Sequence, residues 1–528
     1  MTGKYILQEL CRYNVGTFAD IIYRNALLYK DFEAFVHGEK RLTFNQFNAR
    51  VNRLIHALWS LGVKKGDVLG ILSWNCIEYT EVYGAAMKGG FIASPFNPRL
   101  QAEELEYLIN YSESNTLFVG PELLEMVDHL RPRLPKVKHF ISFEESAAQM
   151  LLHSDLMEAH STREPDIKVT EEDPLVIFYT SGTTGTPRGA LYTHGRKMED
   201  IKIFVHELAM RPGDKHLVVL PLFHVAGGSF LWAFFYGAAG NHIMPEISFD
   251  PAATMQAIQD EKATDIHIVP TQLISILALT DLESYDFSSL KRIWYAASPM
   301  PMEVLKKAME VFGPIFMQAY GQSESGPMIT HLPMISHRAV DGSSNEQKVL
   351  TSCGQPCIGV HARIVDTKND DVKPGDVGEI VVQSKSIMVE YWRKPEETGE
   401  TIVDGWLHTG DLGYYDENGY IYLVDRKNDM IISGGENIYP RELEEILYRH
   451  PAVEEVAVIG IPDPFWVEKV HAVIVLKKQQ QVLEQGIIDF CKKHTAHYKV
   501  PKSVEFVDEL PKNPQGKILK RKIKKWYP

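Results

Sequence analysis

Short strand-like runs alternating with amphipathic helical runs leave this chain few folds to choose from. Residues 43–61 (TFNQFNARVNRLIHALWSL) carry apolar side chains at helical spacing and end against Gly62, a C-cap glycine. Residues 66–72 (GDVLGIL) follow as a strand, and the pattern returns around residues 116–119 and 138–142. Strands separated by amphipathic helices predict α/β layers. Over residues 358–383 the texture changes to strict alternation, with the turn Lys373-Pro-Gly-Asp between two strand patterns. That stretch reads as a smaller antiparallel, barrel-like piece. Beyond Asp425 come a polar turn, a glycine pair, a charged helix over 441–449 and a strand over 453–461. The last ~100 residues have the size of a small domain of their own. A chain of 528 residues exceeds one compact core in any case. The expected fold class is α/β: a large domain over 1–427, ending in the barrel-like piece, and a small α+β domain over 428–528.

The net charge of −14 excludes a general nucleic-acid binder, which needs a basic face, but not a local anion site. Five cysteines (Cys11, Cys76, Cys353, Cys357, Cys491) are scattered and complete no zinc set, so they read as free thiols in a reducing compartment. The N-terminal residues lack the basic start and apolar run of a signal peptide. The most apolar segment, residues 229–239 (SFLWAFFYGAA), is shorter than the roughly 18–20 residues that span a bilayer and reads as core or pocket wall. These features place the chain in the cytosol as a monomer or homodimer, with weak peripheral membrane contact left open.

The chemistry concentrates in Tyr179-Thr-Ser-Gly-Thr-Thr-Gly-Thr-Pro-Arg-Gly189, which follows the buried-strand pattern Pro174-Leu-Val-Ile-Phe. Three glycines and five Ser or Thr hydroxyls offer N–H and O–H donors with little steric bulk, as a phosphate cradle requires. It is not the G-x-x-x-x-G-K-[ST] loop, because no Lys-Ser/Thr pair opens a following helix.

This stretch resembles the phosphate loop of the adenylate-forming superfamily of acyl- and aryl-CoA synthetases, luciferases and peptide-synthetase adenylation domains. The usual family form ends Pro-Lys-Gly, whereas Arg188 stands here; a planar forked cation changes the geometry of a phosphate contact. Four further motifs follow in family order. Ala319-Tyr-Gly-Gln-Ser-Glu324 resembles Tyr-Gly-x-Thr-Glu, with Ser323 for Thr; alone it would read as a capping Ser-Glu pair. Gly405-Trp-Leu-His-Thr-Gly-Asp411 resembles the ribose-binding segment, and the segment 425–437 resembles the hinge and the loop beyond it. Pro511-Lys-Asn-Pro-Gln-Gly-Lys517 resembles the motif of the adenylation lysine. Together the motifs span almost the whole chain, and their collinearity is more specific than any one of them.

The resemblance implies ATP, Mg²⁺ and coenzyme A as cofactors and co-substrates, and it implies the site. Thr180, Ser181, Gly182, Thr183, Thr184, Gly185 and Arg188 would surround the phosphates. Tyr320, Gly321 and Gln322, with Ser298 and Pro299, would border adenine, and Ser323 would reach the α-phosphate. Glu324 and Thr180 would hold Mg²⁺, which suits an ion that prefers few carboxylates plus phosphate oxygens. Asp411 would accept the ribose hydroxyls, and Arg426 would contact ribose and phosphate. Asn428 takes the hinge position, usually Asp or Lys, and Gly434 and Gly435 would line the pantetheine tunnel. Lys517 would neutralise charge where the carboxylate meets the α-phosphate. The other tail lysines read as solvated or as near the 3′-phosphate of CoA.

In Pro221-Leu-Phe-His224-Val-Ala-Gly-Gly-Ser, His224 resembles the family histidine bordering the carboxylate, a gate rather than a general base. Gly227 and Gly228 would leave space behind it, and Gln272 and Gln318 would add further walls. The implied reaction joins a carboxylic acid to CoA through an acyl-adenylate, releasing AMP and pyrophosphate. The apolar walls point to a medium- or long-chain fatty acid; an aryl or cyclic acid, or loading of a carrier protein, are the alternatives.

Overall fold

The computed structural model describes residues 3–144, 149–180, 187–245, 247–297, 300–343, 347–426, 429–433, 436–463, 466–497, 499–512 and 518–527. Four sheets organise them. An eight-stranded sheet runs in the spatial order Glu390–Tyr391, Arg188–Thr193, Pro174–Thr180, Ile92–Phe96, Val68–Leu72, Thr116–Val119, His139–Ser142, Leu151–Leu152. It is parallel from Pro174–Thr180 onward and antiparallel at the end formed by the first three strands. A nine-stranded sheet has a parallel centre of six strands, Phe316–Gln322, Arg292–Tyr295, Asp265–Ile268, Lys215–Val218, Gly240–Ile243 and Glu33–His37. Antiparallel strands flank it on both sides.

Helices fill the space between these sheets, and their sequences say why. Helix Phe44–Ser60 buries Phe44, Phe47, Val51, Leu54, Ile55 and Leu58, the i, i+3, i+4 stripe expected of a half-buried helix. Full burial of each such side chain contributes about 1.5–3 kcal/mol. Thr43 accepts from the Gln46 N–H at 3.3 Å while the Gln46 side chain accepts from the Thr43 N–H at 2.8 Å, a reciprocal cap that fixes the start. Helix Val225–Tyr236 is apolar on every face and correspondingly buried throughout most of its length. Among the described residues, no helix is long and apolar enough to cross a membrane.

The alternating segment forms a five-stranded antiparallel sheet, with Val360–Val365 paired to Gly378–Ser384 and the predicted turn closed by the Asp376 N–H on the Lys373 carbonyl at 3.0 Å. Trp406–Tyr415 and Ile421–Arg426 complete its site-facing part. The fourth sheet is built from strands after residue 430 and packs on helix Pro440–Leu447 through Leu443, Ile446 and Leu447. The Arg441 N–H donates to Asp425 at 2.9 Å, tying that helix to the end of strand Ile421–Arg426. Lys520, which reads from the sequence as a solvated or CoA-facing lysine of the tail, instead pairs with half-buried Glu444 at 2.8 Å. All five cysteines are free.

Candidate active site

Strands Pro174–Thr180 and Arg188–Thr193 form the hairpin that carries the glycine- and hydroxyl-rich loop, with Thr180 paired to Arg188 across it. Its loop residues Ser181, Gly182, Thr183, Thr184 and Gly185 lie outside the described residues. Among the described residues the buried Thr180 hydroxyl has no hydrogen-bond partner. The Arg188 guanidinium lies 4.4 Å above the Tyr391 ring, and one of its terminal nitrogens is 3.6 Å from Glu397.

A second hairpin, Phe316–Gln322 with Gly326–Leu332, presents Ser323 and Glu324 at its turn. Gly321 is required by close approach: a Cβ there would sit 2.4 Å from the Gly326 carbonyl oxygen. The Tyr192 hydroxyl fastens the turn twice, donating to the Ser323 carbonyl at 2.6 Å and accepting from the Gly326 N–H at 2.9 Å. Glu324 accepts from the Tyr391 hydroxyl at 2.8 Å through one carboxylate oxygen, and its backbone carbonyl accepts from the Met388 N–H at 2.8 Å.

Asp411 sits on strand Trp406–Tyr415 directly opposite Arg426 in the ladder. Its buried carboxylate accepts from the Tyr320 hydroxyl at 2.6 Å, from the Gln322 side-chain amide, and from Arg426 at 2.6 Å. Three residues predicted to meet the nucleotide therefore converge on the carboxylate of a fourth. Burial and the neighbouring Asp411 charge push the Tyr320 phenol well above its ordinary range, so it remains a hydrogen-bond donor. Burial works against the Arg426 charge, but Asp411 together with Tyr320, Glu324 and Asp429 outweighs it and leaves the guanidinium more firmly protonated than usual.

His224 caps helix Val225–Tyr236, its Nδ1 accepting from the Ala226 N–H at 3.3 Å. Burial holds its pKa down at about 4, so the ring is neutral at pH 7 and carries its proton on Nε2. The lowered pKa makes this ring a weak base. At Gly227 a Cβ would lie 2.1 Å from the Pro221 carbonyl oxygen, so its bareness lets the helix pack on the preceding loop. A Cβ on Gly228 would make ordinary contacts, the nearest at 3.4 Å with Phe178. Gln272 turns its side-chain oxygen back onto the Val269 N–H at 3.0 Å, capping its own helix. Gln318 keeps a buried side-chain oxygen with no partner among the described residues. Ser298, Pro299, Asn428, Gly434, Gly435 and Lys517 lie outside the described residues.

Tyr391 and Tyr192 were missed in the sequence. Tyr391 lies on a two-residue strand, 67 positions from Glu324, where neither periodicity nor spacing flags it. The aromatic pair Tyr391-Trp392 beside Pro395 and Glu396 was the available cue.

These donors fit a magnesium ion bound with a nucleotide. Thr180 offers a buried oxygen without a partner among the described residues, and Glu324 offers a carboxylate with one oxygen committed to Tyr391, a small donor set of the kind Mg²⁺ takes alongside phosphate oxygens.

The two hairpins and the buried Asp411 carboxylate are the setting in which the comparisons with known proteins place this chain. Residues 22–392 match the family described as AMP-binding enzyme, and residues 442–517 match the AMP-binding enzyme C-terminal domain. The feruloyl-CoA synthase of Amycolatopsis sp is 35% identical over 96% of this chain and 98% of its own. The fatty acid–[acyl-carrier-protein] ligase ScoC of Streptomyces coeruleorubidus is 34% identical over 92% and 91%. The crystal structure of the anthranilate CoA ligase AuaEII in complex with anthranoyl-AMP superposes with a TM-score of 0.88 at 28% identity, covering 98% of each chain. The chain belongs to the AMP-binding enzyme family and is an ATP-dependent, AMP-forming acyl-CoA ligase. Such ligases use ATP, Mg²⁺ and CoA.

Proposed function

We propose that this enzyme joins a medium- or long-chain fatty acid to CoA through an acyl-adenylate. The observation that carries the acyl preference is helix Val225–Tyr236 behind His224, buried over most of its length and free of charged side chains. A relative named as a fatty acid ligase supports the acid, and relatives named as CoA synthase and CoA ligase support the thiol. The latter two also favour a second reading, an aryl acid.

In this reading the substrate carboxylate attacks the α-phosphorus and pyrophosphate leaves; the CoA thiol then attacks the acyl carbon and AMP leaves. Asp411, already held by three donors, receives the ribose hydroxyls, and Arg426 beside it faces ribose and phosphate. Glu324 and Thr180 would hold Mg²⁺, which when bound would supply neutralisation of phosphate charge. Lys517 offsets charge as carboxylate and α-phosphate meet. His224, neutral, separates the acyl and thiol entries. A small domain over 428–528 rotates about Asn428 between the two halves, withdrawing Lys517 and presenting Gly434 and Gly435 to the pantetheine arm. Positioning and electrostatics supply the catalysis, with no covalent protein nucleophile. We place the reaction in the cytosol, the reducing compartment that suits five free thiols.

The test is CoA-dependent AMP formation across acetate, hexanoate, decanoate, palmitate, benzoate and phenylacetate. Rates that rise with chain length support the fatty-acid reading. A preference for benzoate or phenylacetate replaces it with the aryl reading, and pyrophosphate release indifferent to CoA replaces the thiol with a carrier protein.

A further inference from the structure

The phosphate hairpin and the Ser-Glu turn come from distant parts of the chain, yet one side chain touches a charged group from each. Tyr391 is held in place through its backbone: it pairs with Ala190 on the phosphate hairpin, its N–H donates to the Thr398 hydroxyl at 2.9 Å, and the next N–H, of Trp392, donates to Gly189 at 2.6 Å. The side chain is 2% exposed. Its ring face lies 4.4 Å under the Arg188 guanidinium, and its hydroxyl donates to one oxygen of Glu324 at 2.8 Å. A planar guanidinium stacks flat on a phenol face in a way a lysine ammonium does not, which gives the Arg for Lys departure at 188 a structural partner.

We propose that Tyr391 is a positioning residue for the Mg²⁺–nucleotide: its hydroxyl fixes one oxygen of Glu324 so that the other faces the metal, while its ring holds Arg188 beside the phosphates. The two duties reside in different parts of the side chain and can be separated. Tyr391→Phe removes the hydrogen bond and keeps the stacking face. Tyr391→Leu removes both.

The inference rests on the ATP-dependent ligase reading, and the test uses ATP binding alone, without acid or CoA. ATP is titrated calorimetrically into the full-length protein, once with excess Mg²⁺ and once with EDTA. Tyr391→Phe is expected to weaken binding about tenfold with Mg²⁺ and to leave binding in EDTA unchanged; Tyr391→Leu weakens both. Adding Tyr391→Phe to Glu324→Gln should have no further effect on the Mg²⁺ arm, because the hydrogen bond would no longer serve a metal-binding carboxylate. Equal changes in both arms for Tyr391→Phe, no change in either, or full additivity with Glu324→Gln would make Tyr391 a packing aromatic and overturn the proposal. A wild-type protein that binds no ATP in either arm would instead overturn the ligase reading beneath it.

Discussion

Asp411 is the residue on which the site depends most visibly, since Tyr320, Gln322 and Arg426 all donate to it. Asp411→Ala leaves three donors without their acceptor in a buried setting, which costs roughly 2–3 kcal/mol of stability. It also raises the KM for ATP by tenfold or more. Urea denaturation and steady-state kinetics check the two effects; an unchanged KM for ATP would remove Asp411 from the nucleotide site. The sequence named each of these four residues through its motif but not their convergence on one carboxylate. Convergence comes from ladder register, Asp411 opposite Arg426, and from the meeting of two sheets, neither of which a linear motif encodes. Gln272 and Gly227 illustrate the reverse case. Motif context assigns them to the acyl pocket, and the structure adds a local duty for each: one caps its own helix and the other permits close packing.

At the scale of elements, helices were more legible than strand partners. Residues 43–61 give helix Phe44–Ser60 because the apolar stripe, the Thr43–Gln46 cap and the Gly62 stop are all local. Removing the cap by Thr43→Ala should cost about 1 kcal/mol, read as a shift in the denaturation midpoint; no shift would mean the helix is fixed by packing alone. The strand read from residue 66 begins at Val68, because Gly66 takes a positive φ of 88° in the preceding turn. Strand Glu390–Tyr391 was invisible: two residues carry no alternation, and only tertiary pairing makes them a strand. Residues 229–239, which read as core or pocket wall, fall largely within helix Val225–Tyr236, which is buried over most of its length and capped by His224. Gly227→Ala should push this helix off the Pro221 loop, at about 1–3 kcal/mol of stability. Because His224 caps the same helix, the KM for the acid should rise as well, and an unaltered KM would show that the cap tolerates the displacement.

Across the whole molecule, buried histidines set the response to acid. Burial holds His153, His216, His224 and His337 near a pKa of about 4 and His194 near about 3, against an ordinary 6.5. The unfolded chain therefore takes up protons first as pH falls, so the stability these groups contribute above pH 6.5 is lost progressively towards pH 4. Glu81 and Asp20, lifted by burial to about 7 and about 6, work the other way, because the folded state protonates first. His267 is held well below its ordinary value too, so the buried histidines predict a fall in the thermal midpoint between pH 6.5 and 4; a flat or rising midpoint would contradict these burials. Overall architecture was legible at this scale, from the alternating strands and helices to the change of texture near residue 358, because each signal extends over many residues. The central claim, that the acid is activated by attack of its own oxygen on the α-phosphorus, is tested most directly with decanoate labelled with oxygen-18 in the carboxylate, plus ATP, Mg²⁺ and CoA. The account predicts AMP carrying one labelled oxygen for each decanoyl-CoA formed; unlabelled AMP, or label recovered in inorganic phosphate, would contradict it.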